Sequence, residues 1–413
     1  MSLIAYKYRI YPSKEQKILL EKHFGCSRFV FNQALREKSE KYKAKKESIS
    51  INKLILKLKD TKRTQEFEWL KEVNSQTLQS SLRNLDAAFQ RFFKKKSRYP
   101  RFKKKSRKQS AIFPQNNRVD FENGKFYCMK FREGISAKFH KIFEGKIKTC
   151  TISKTKSEKY YVSILVENGE IFPNESKVEL DKILGIDVGL KDFAILSNGH
   201  KIKNPKFLKK KLKKLRRFQR HLSKSRKGSK NRNKKRIRLA KQHEKVSNSR
   251  SDFLHKISKK IVDNQDYSSF AVESLDVKKM LKNKFLSRQI SDSGWGIFFQ
   301  YIKYKAERVG KNFLKIGQFE ASSKTCSNCG NVFRELTLDI RSWKCDCCGT
   351  NHDRDVNAAM NIRNFAFRSI NVLREPQKLT PEEEQTSIFR NSSEYSGDKS
   401  VPMNQEAPSF KAG

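Results

Sequence analysis

The sequence predicts a multi-domain α/β protein. A small β-barrel-like domain with a helical module spliced into it comes first, followed by a second α/β domain carrying a cysteine-rich insert. Three observations carry this reading. Strand-like alternation at residues 4–10 resumes only at 111–167, and helical spacing fills the interval. A second set of short apolar strands begins near Leu180, interleaved with helical stretches. Five of the eight cysteines fall between residues 326 and 348.

The elements follow in order. Residues 4–10 (Ile-Ala-Tyr-Lys-Tyr-Arg-Ile) alternate as a strand, and Pro12 breaks it. Ser13 and Gln16 have the spacing of a capping box. Gly25 is expected to end the helix they open, and a second helix is expected from near Cys26, with Phe29, Phe31 and Leu35 among its apolar residues. Ile51, Leu54, Ile55 and Leu58 mark another helix. Leu78, Leu82, Leu85, Phe89 and Phe92, from Ser75 onward, mark one more. Residues 94–108 form a basic linker interrupted by Tyr99, Pro100 and Phe102; those rings could stack on bases or anchor the linker. Residues 146–153 and 160–166 read as a hairpin about Ser157. The bounds expected are 1–11 and 101–179 for the β-rich domain and 12–100 for the helical module.

The composition shifts near Leu180. Residues 183–187 (Ile-Leu-Gly-Ile-Asp) and 193–196 read as buried strands, and Asn198-Gly199 as a hairpin turn. Strands are also expected at 268–273 and 312–316, a helix at 297–309 and a last helix from about Asp355. The second domain is expected to span 180–325 and 349–376, with the insert at 326–348. Residues 377–413, acidic and then polar, are expected to be a disordered tail.

Composition narrows the function classes. The formal net charge is +49, which requires a polyanionic partner and excludes a chain serving only small neutral substrates. A hydrophobic content of 36%, with 30 Phe, excludes wholesale disorder. No apolar run approaches a membrane span, and the first residues lack the apolar stretch of a signal peptide, so a cytoplasmic location without membrane contact is expected. In a reducing compartment clustered cysteines more often bind metal than form disulfides. Residues 201–250 concentrate the charge, with 23 Lys and Arg against one acid, Glu244. Leu208, Leu212, Leu215, Phe218 and Leu222 give that segment a helical stripe. Lys209, Lys210, Lys213, Lys214, Arg216 and Arg217 on it are candidates to bind nucleic acid.

Two constellations carry chemistry. Cys326, Cys329, Cys345 and Cys348 read C-x2-C-x15-C-x2-C, the spacing of a four-thiolate Zn²⁺ ribbon. Cys347 is an additional thiol that could compete with Cys345 or Cys348. Three acids sit at element ends: Asp187 closes one strand, Glu273 closes another, and Asp355 opens the last helix. Converging carboxylates can hold two Mg²⁺ ions about 4 Å apart, activate a water and stabilise a leaving phosphodiester oxygen.

From about Tyr6 to about Arg368 the chain resembles the TnpB (OrfB) family encoded by insertion-sequence transposons, relatives of type V CRISPR effectors. Tyr8-Arg9-Ile10-Tyr11-Pro12 through Phe29-Val30-Phe31-Asn32 resembles the family's opening. Gly185-Ile186-Asp187-Val188-Gly189 resembles the first RuvC motif. Val272-Glu273-Ser274-Leu275 resembles the second, with Ser274 where the family often has an acid or Asn. The cysteine cluster followed by His352-Asp353-Arg354-Asp355-Val356-Asn357-Ala358-Ala359 is similar to the family's zinc ribbon running into the third motif. There the acid two before the Asn points to Asp355 over Asp353.

The resemblance implies an RNase H-like RuvC nuclease domain with an inserted zinc ribbon. It also implies a guide RNA from the transposon end and a double-stranded DNA target cut next to a short motif. A monomer is favoured. Two other classes stay open: a cleavage-inactive RNA-guided DNA-binding regulator, and an RNase H-fold transposase. The presence of all three acids argues against the first, and a ribbon placed just before the last acid argues against the second.

Overall fold

Strands from both sides of the helical module meet in one sheet. The computed structural model describes residues 3–374 except 107, 318–319, 334–336 and 338–339; the tail expected at 377–413 lies outside them. The first part of the chain runs β1 (Leu3–Tyr11), α1 (Lys14–Lys45), α2 (Ile51–Thr61), α3 (Ser75–Phe93), β2 (Gln109–Phe113), β3 (Arg118–Asp120), β4 (Lys125–Cys128), β5 (Phe131–Lys138), β6 (Lys146–Lys154) and β7 (Tyr160–Glu167). A short 3-10 helix (Gln65–Glu72) joins α2 to α3.

The sheet order is β2-β6-β7-β1-β5-β4-β3, so the first strand lies in the middle, antiparallel to both β5 and β7. One face buries Tyr8, Ile10, Phe113, Phe126, Ile135, Val162 and Ile164 against Leu20 and Phe24 of α1.

The break expected at Gly25 does not occur: α1 is a single helix from Lys14 to Lys45. It opens with the capping box of Ser13 and Gln16. Phe24 belongs to the core of the sheet, whereas Cys26, Val30, Phe31 and Leu35 belong to the core of the helical module. Burial on both sides of Gly25 outweighs the cost of about 1 kcal/mol for glycine in a helix.

The second part runs β8 (Ile183–Asp187), β9 (Asp192–Leu196), β10 (Lys201–Lys203), α4 (Phe207–Ser223), α5 (Lys230–Val262), β11 (Ser269–Glu273), α6 (Val277–Met280), α7 (Ser287–Ser293), α8 (Trp295–Arg308), β12 (Asn312–Ile316), β13 (Ser342–Lys344), β14 (Asn351–Asp353) and α9 (Arg354–Arg374). The five-stranded sheet has the order β10-β9-β8-β11-β12. β8 is central, antiparallel to β9 and parallel to β11, which is in turn parallel to β12.

The period-2 alternation of these strands sorts their residues onto two faces. Leu184, Ile186, Phe270 and Val272 pack on Leu254, Ile261, Phe298 and Ile302 of α5 and α8. Ile183 and Ala271 face the other way, onto Ile362 and Ala366 of α9. The result is a helix–sheet–helix sandwich. Among the described residues no helix is long and apolar enough to cross a membrane.

The lone acid of the basic segment fastens the two parts together. Glu244 of α5 accepts a hydrogen bond from Ser157 Oγ at 2.7 Å and pairs with Lys159 at 3.2 Å. Arg236 pairs with Glu158 at 3.0 Å.

Candidate active site and metal centre

Asp187 and Glu273 are the last residues of β8 and β11. Ile186 pairs with Val272, so the two acids stand at matching C-terminal ends of adjacent parallel strands. Alternation puts them on the faces of Ile183 and Ala271, which is the side covered by α9. Asp355 lies in the first turn of α9.

Gly185 sets how closely that helix approaches. A Cβ there would stand 2.0 Å from the Ala359 carbonyl oxygen and 2.9 Å from the Arg363 nitrogen. Ala359 is about one helical turn beyond Asp355, so only glycine lets the helix carry its acid down to the strand ends.

Glu273 and Asp355 both stand near enough to Asp187 to act on its carboxyl. Burial, then Glu273, then Asp355 push the Asp187 carboxyl up to about 7, against the opposing pull of the Val188 N–H and Arg354. Burial also raises Glu273. Asp355 is approached by Arg341 at 3.7 Å.

Asp353 does something different. Its Oδ1 accepts from the N–H groups of Asp355 and Val356, both at 3.1 Å, and so caps α9. Its Oδ2 pairs with Lys201 of β10 at 2.5 Å. Partial burial works against the Asp353 carboxylate, but Lys201 and the capped N–H groups hold its pKa below the usual range. It therefore orients Asp355 from the surface.

The sulfurs of Cys326, Cys329, Cys345 and Cys348 converge, with all donor atoms within 4.8 Å of one another. Cys326–Cys348 and Cys329–Cys345 are each 3.6 Å apart. A tetrahedron of Zn–S bonds near 2.3 Å has an S–S edge of about 3.8 Å, so the donor set fits Zn²⁺. Cys347 is exposed and stands outside the four. Hydrogen bonds from Thr350 and Asn328 draw the Cys348 thiol down to about 5. His352 Nε2 lies 3.0 Å from Cys326 Sγ, and its ring packs on Trp343. Among the described residues the four thiols are the one group of three or more possible ligands drawn this tightly together; the three acids stand wider.

Two buried asparagines join this knuckle to α9. Asn357 accepts from Ser327 N–H at 2.9 Å and donates to the Thr325 carbonyl at 2.7 Å. Asn361, one turn on, donates to Ser322 and Thr325 carbonyls at 2.7 and 2.5 Å. Neither asparagine, nor Gly185 or Lys201, has a role that the sequence reading assigned. The available signal was a pair of asparagines four residues apart on one helical face, since Asn is a poor helix former and needs a partner when buried.

Lys209, Lys210, Lys213, Lys214, Arg216 and Arg217 are all exposed along α4. Leu215 and Phe218 pack that helix on Leu239 and Val246 of α5. The six bases make no ion pair among the described residues. In the linker, Tyr99 is an anchor: its hydroxyl meets Ser39 Oγ at 2.7 Å and its ring packs edge-on against Phe89 and Phe92. Phe102 is exposed.

Residues 163–284 match a family model described as IS605 OrfB, "Probable transposase". Residues 295–362 match a Cas12f1-like TNB domain, and residues 1–47 match a helix-turn-helix domain of IS605 OrfB. A protein of Streptomyces pristinaespiralis named "Putative RNA-guided DNA endonuclease" is 36% identical over 360 residues, covering 87% of this chain and 88% of that one. Escherichia coli K12 has a relative named "Putative RNA-guided DNA endonuclease InsQ", 30% identical over 380 residues, covering 87% and 91%. A cryo-EM structure of a Cas12f1–sgRNA–target DNA complex shares the fold, with a TM-score of 0.52 and 14% identity over 88% of this chain and 99% of that one.

Proposed function

This chain belongs to the IS605 OrfB (TnpB) family, and from that membership we propose that it is an RNA-guided DNA endonuclease that cuts at Asp187, Glu273 and Asp355. The observation that carries the catalytic reading is the gathering of three acids on one side of the central strands, where burial first and then the charges of Glu273 and Asp355 raise Asp187 to about 7. In a chain of net charge +49, acids left to repel one another call for cations. All-oxygen donors suit Mg²⁺, and three carboxylates offer enough oxygens to share between two ions. When bound, two Mg²⁺ ions supply an activated water and neutralise charge on the scissile phosphate in RuvC-type hydrolysis.

The residues have distinct parts. Asp187, on the central strand, would serve both ions; Glu273 would hold one from the neighbouring strand; Asp355 would close the site from α9. Gly185 and the Asp353 cap support that placement. The four cysteines would hold a structural Zn²⁺. Asn357 and Asn361 link that centre to the helix bearing Asp355, so the ribbon would act as a splint for the acid. The five-stranded unit is read as the RNase H-like RuvC domain and the seven-stranded unit as the barrel-like domain before it. The bases of α4 would take the phosphates of a guide RNA, leaving target sequence to base pairing.

The test begins by sequencing RNA that co-purifies with the protein. A duplex matching it is then offered in Mg²⁺ to the wild type and to Asp187→Ala, Glu273→Ala, Asp355→Ala and Asp353→Ala. The first three should lose cleavage by orders of magnitude and keep RNA binding, and Asp353→Ala should lose less. Full activity of Asp187→Ala would refute the mechanism. A wild type that binds guided DNA without cutting it would favour the regulator.

A further inference from the structure

The segment after Glu273 holds an aromatic ring that packing does not explain. Phe285 is 90% exposed, between α6 and α7. The segment around it is nevertheless braced. At its start Leu275, Val277 and Met280 pack in the cluster that holds Val188 and Leu190, next to Asp187. Asp276 caps α6 by accepting the Lys279 N–H at 3.0 Å. At its end Ile290 is buried, and Asp292 accepts the Leu208 N–H at 2.8 Å and pairs with Arg250 at 2.8 Å. Between them Asn283 Oδ1 accepts the N–H groups of Phe285 and Leu286 at 2.9 and 3.2 Å. The ring is thus held outward by an ordered turn rooted beside the acids.

Its surroundings carry one sign of charge. Lys278, Lys282, Lys284 and Arg288 are exposed and form no ion pair among the described residues. Among the described residues Asp276 pairs only with Lys279, at 3.9 Å. An exposed ring among bare cations suits a partner with anionic links and flat apolar faces, which is an unpaired nucleic-acid strand. A second copy of this +49 chain would be repelled.

We propose that Phe285 is a stacking platform for an unpaired base of the DNA strand entering the carboxylate site, with Lys282, Lys284 and Arg288 holding the flanking phosphates. The proposal rests on the reading of Asp187, Glu273 and Asp355 as the cleavage centre and adds a residue that positions the strand on its way to them.

The test compares full-length, guide-loaded wild type with Phe285→Leu and Phe285→Trp on a matched duplex. Stacking on a protein ring is strong enough that its loss should slow single-turnover cleavage about tenfold. Target binding and melting temperature should stay unchanged, and Trp should restore the rate. In Mg²⁺-free buffer, 2-aminopurine placed singly along each DNA strand should be quenched at one or two positions by wild type and Phe285→Trp but not by Phe285→Leu. A wild type that cuts while Phe285→Leu cuts and quenches equally overturns the platform alone. Quenching confined to 2-aminopurine in the guide RNA assigns the ring to RNA and also overturns it. A wild type that does not cut matched DNA overturns the catalytic reading and the platform with it.

Discussion

Gly185→Ala should separate the three acids proposed to be catalytic without touching any of them. The new methyl carbon would stand 2.0 Å from the Ala359 carbonyl oxygen, and the obstacle is backbone on both sides. Ordinary C···O contacts are about 3.3 Å or more, so α9 must retreat by about 1 Å. Overpacking of this kind costs about 1–3 kcal/mol of stability. The larger effect is on chemistry: α9 carries Asp355, and a misplacement of about 1 Å costs about 100-fold in rate. The assay is single-turnover cleavage of a guide-matched duplex at saturating Mg²⁺, with RNA binding and thermal melting measured on the same preparations. Leu85→Ala, a cavity in the core of the helical module, is the control for general destabilisation. It should lower the melting temperature at least as much while leaving the cleavage rate of the folded protein near wild type. Wild-type cleavage by Gly185→Ala would refute the argument that this glycine sets the approach of Asp355 to Asp187.

Three further outcomes follow from the same structure. Asp187→Asn should abolish cleavage yet stabilise the Mg²⁺-free protein: a carboxyl raised to about 7 when folded keeps a proton the unfolded chain has released, so the contribution of Asp187 to wild-type stability falls from about pH 4 to pH 7 and then levels off. The gain, at most about 4 kcal/mol and about half that after allowing for the partial exposure of Asp187, should be largest above pH 7 and vanish near pH 4 in melting curves; no gain at pH 8 would contradict the charge cluster. Cys326→Ser with Cys329→Ser should release one equivalent of Zn²⁺ by elemental analysis, whereas Cys347→Ser should release none. Neutralising Lys209, Lys210, Lys213, Lys214, Arg216 and Arg217 together should weaken RNA binding and flatten its dependence on salt, by a slope of about 0.7 to 0.9 for each phosphate that is no longer neutralised.

Much of this was legible along the chain because the signals are local. Apolar runs ending in an acid placed β8 and β11, and residues 312–316 matched β12 from end to end. The Ser13 and Gln16 cap, the Cys-x-x-Cys turns and the bare positive charge of α4 each need only neighbours within a few residues. Period-2 alternation also carries the information that Asp187 shares a face with Gly185, and Glu273 with Ala271.

Other features were decided only by packing between distant segments. Gly25 stays helical because two separate cores take hold of α1 on either side of it. Cys347 falls outside the thiolate cluster because the turn at 345–348 turns the other two sulfurs toward Cys326 and Cys329. Gly185 matters because a helix more than 160 residues later lies on it, and Asn357 and Asn361 matter because the carbonyls they reach belong to the turn at 322–327. The sequence by itself determined which residues could do chemistry and which face of its strand or helix each would take. Their meeting was left to long-range burial, in which each contact is won by the area it removes from water and leaves no periodic mark in the chain.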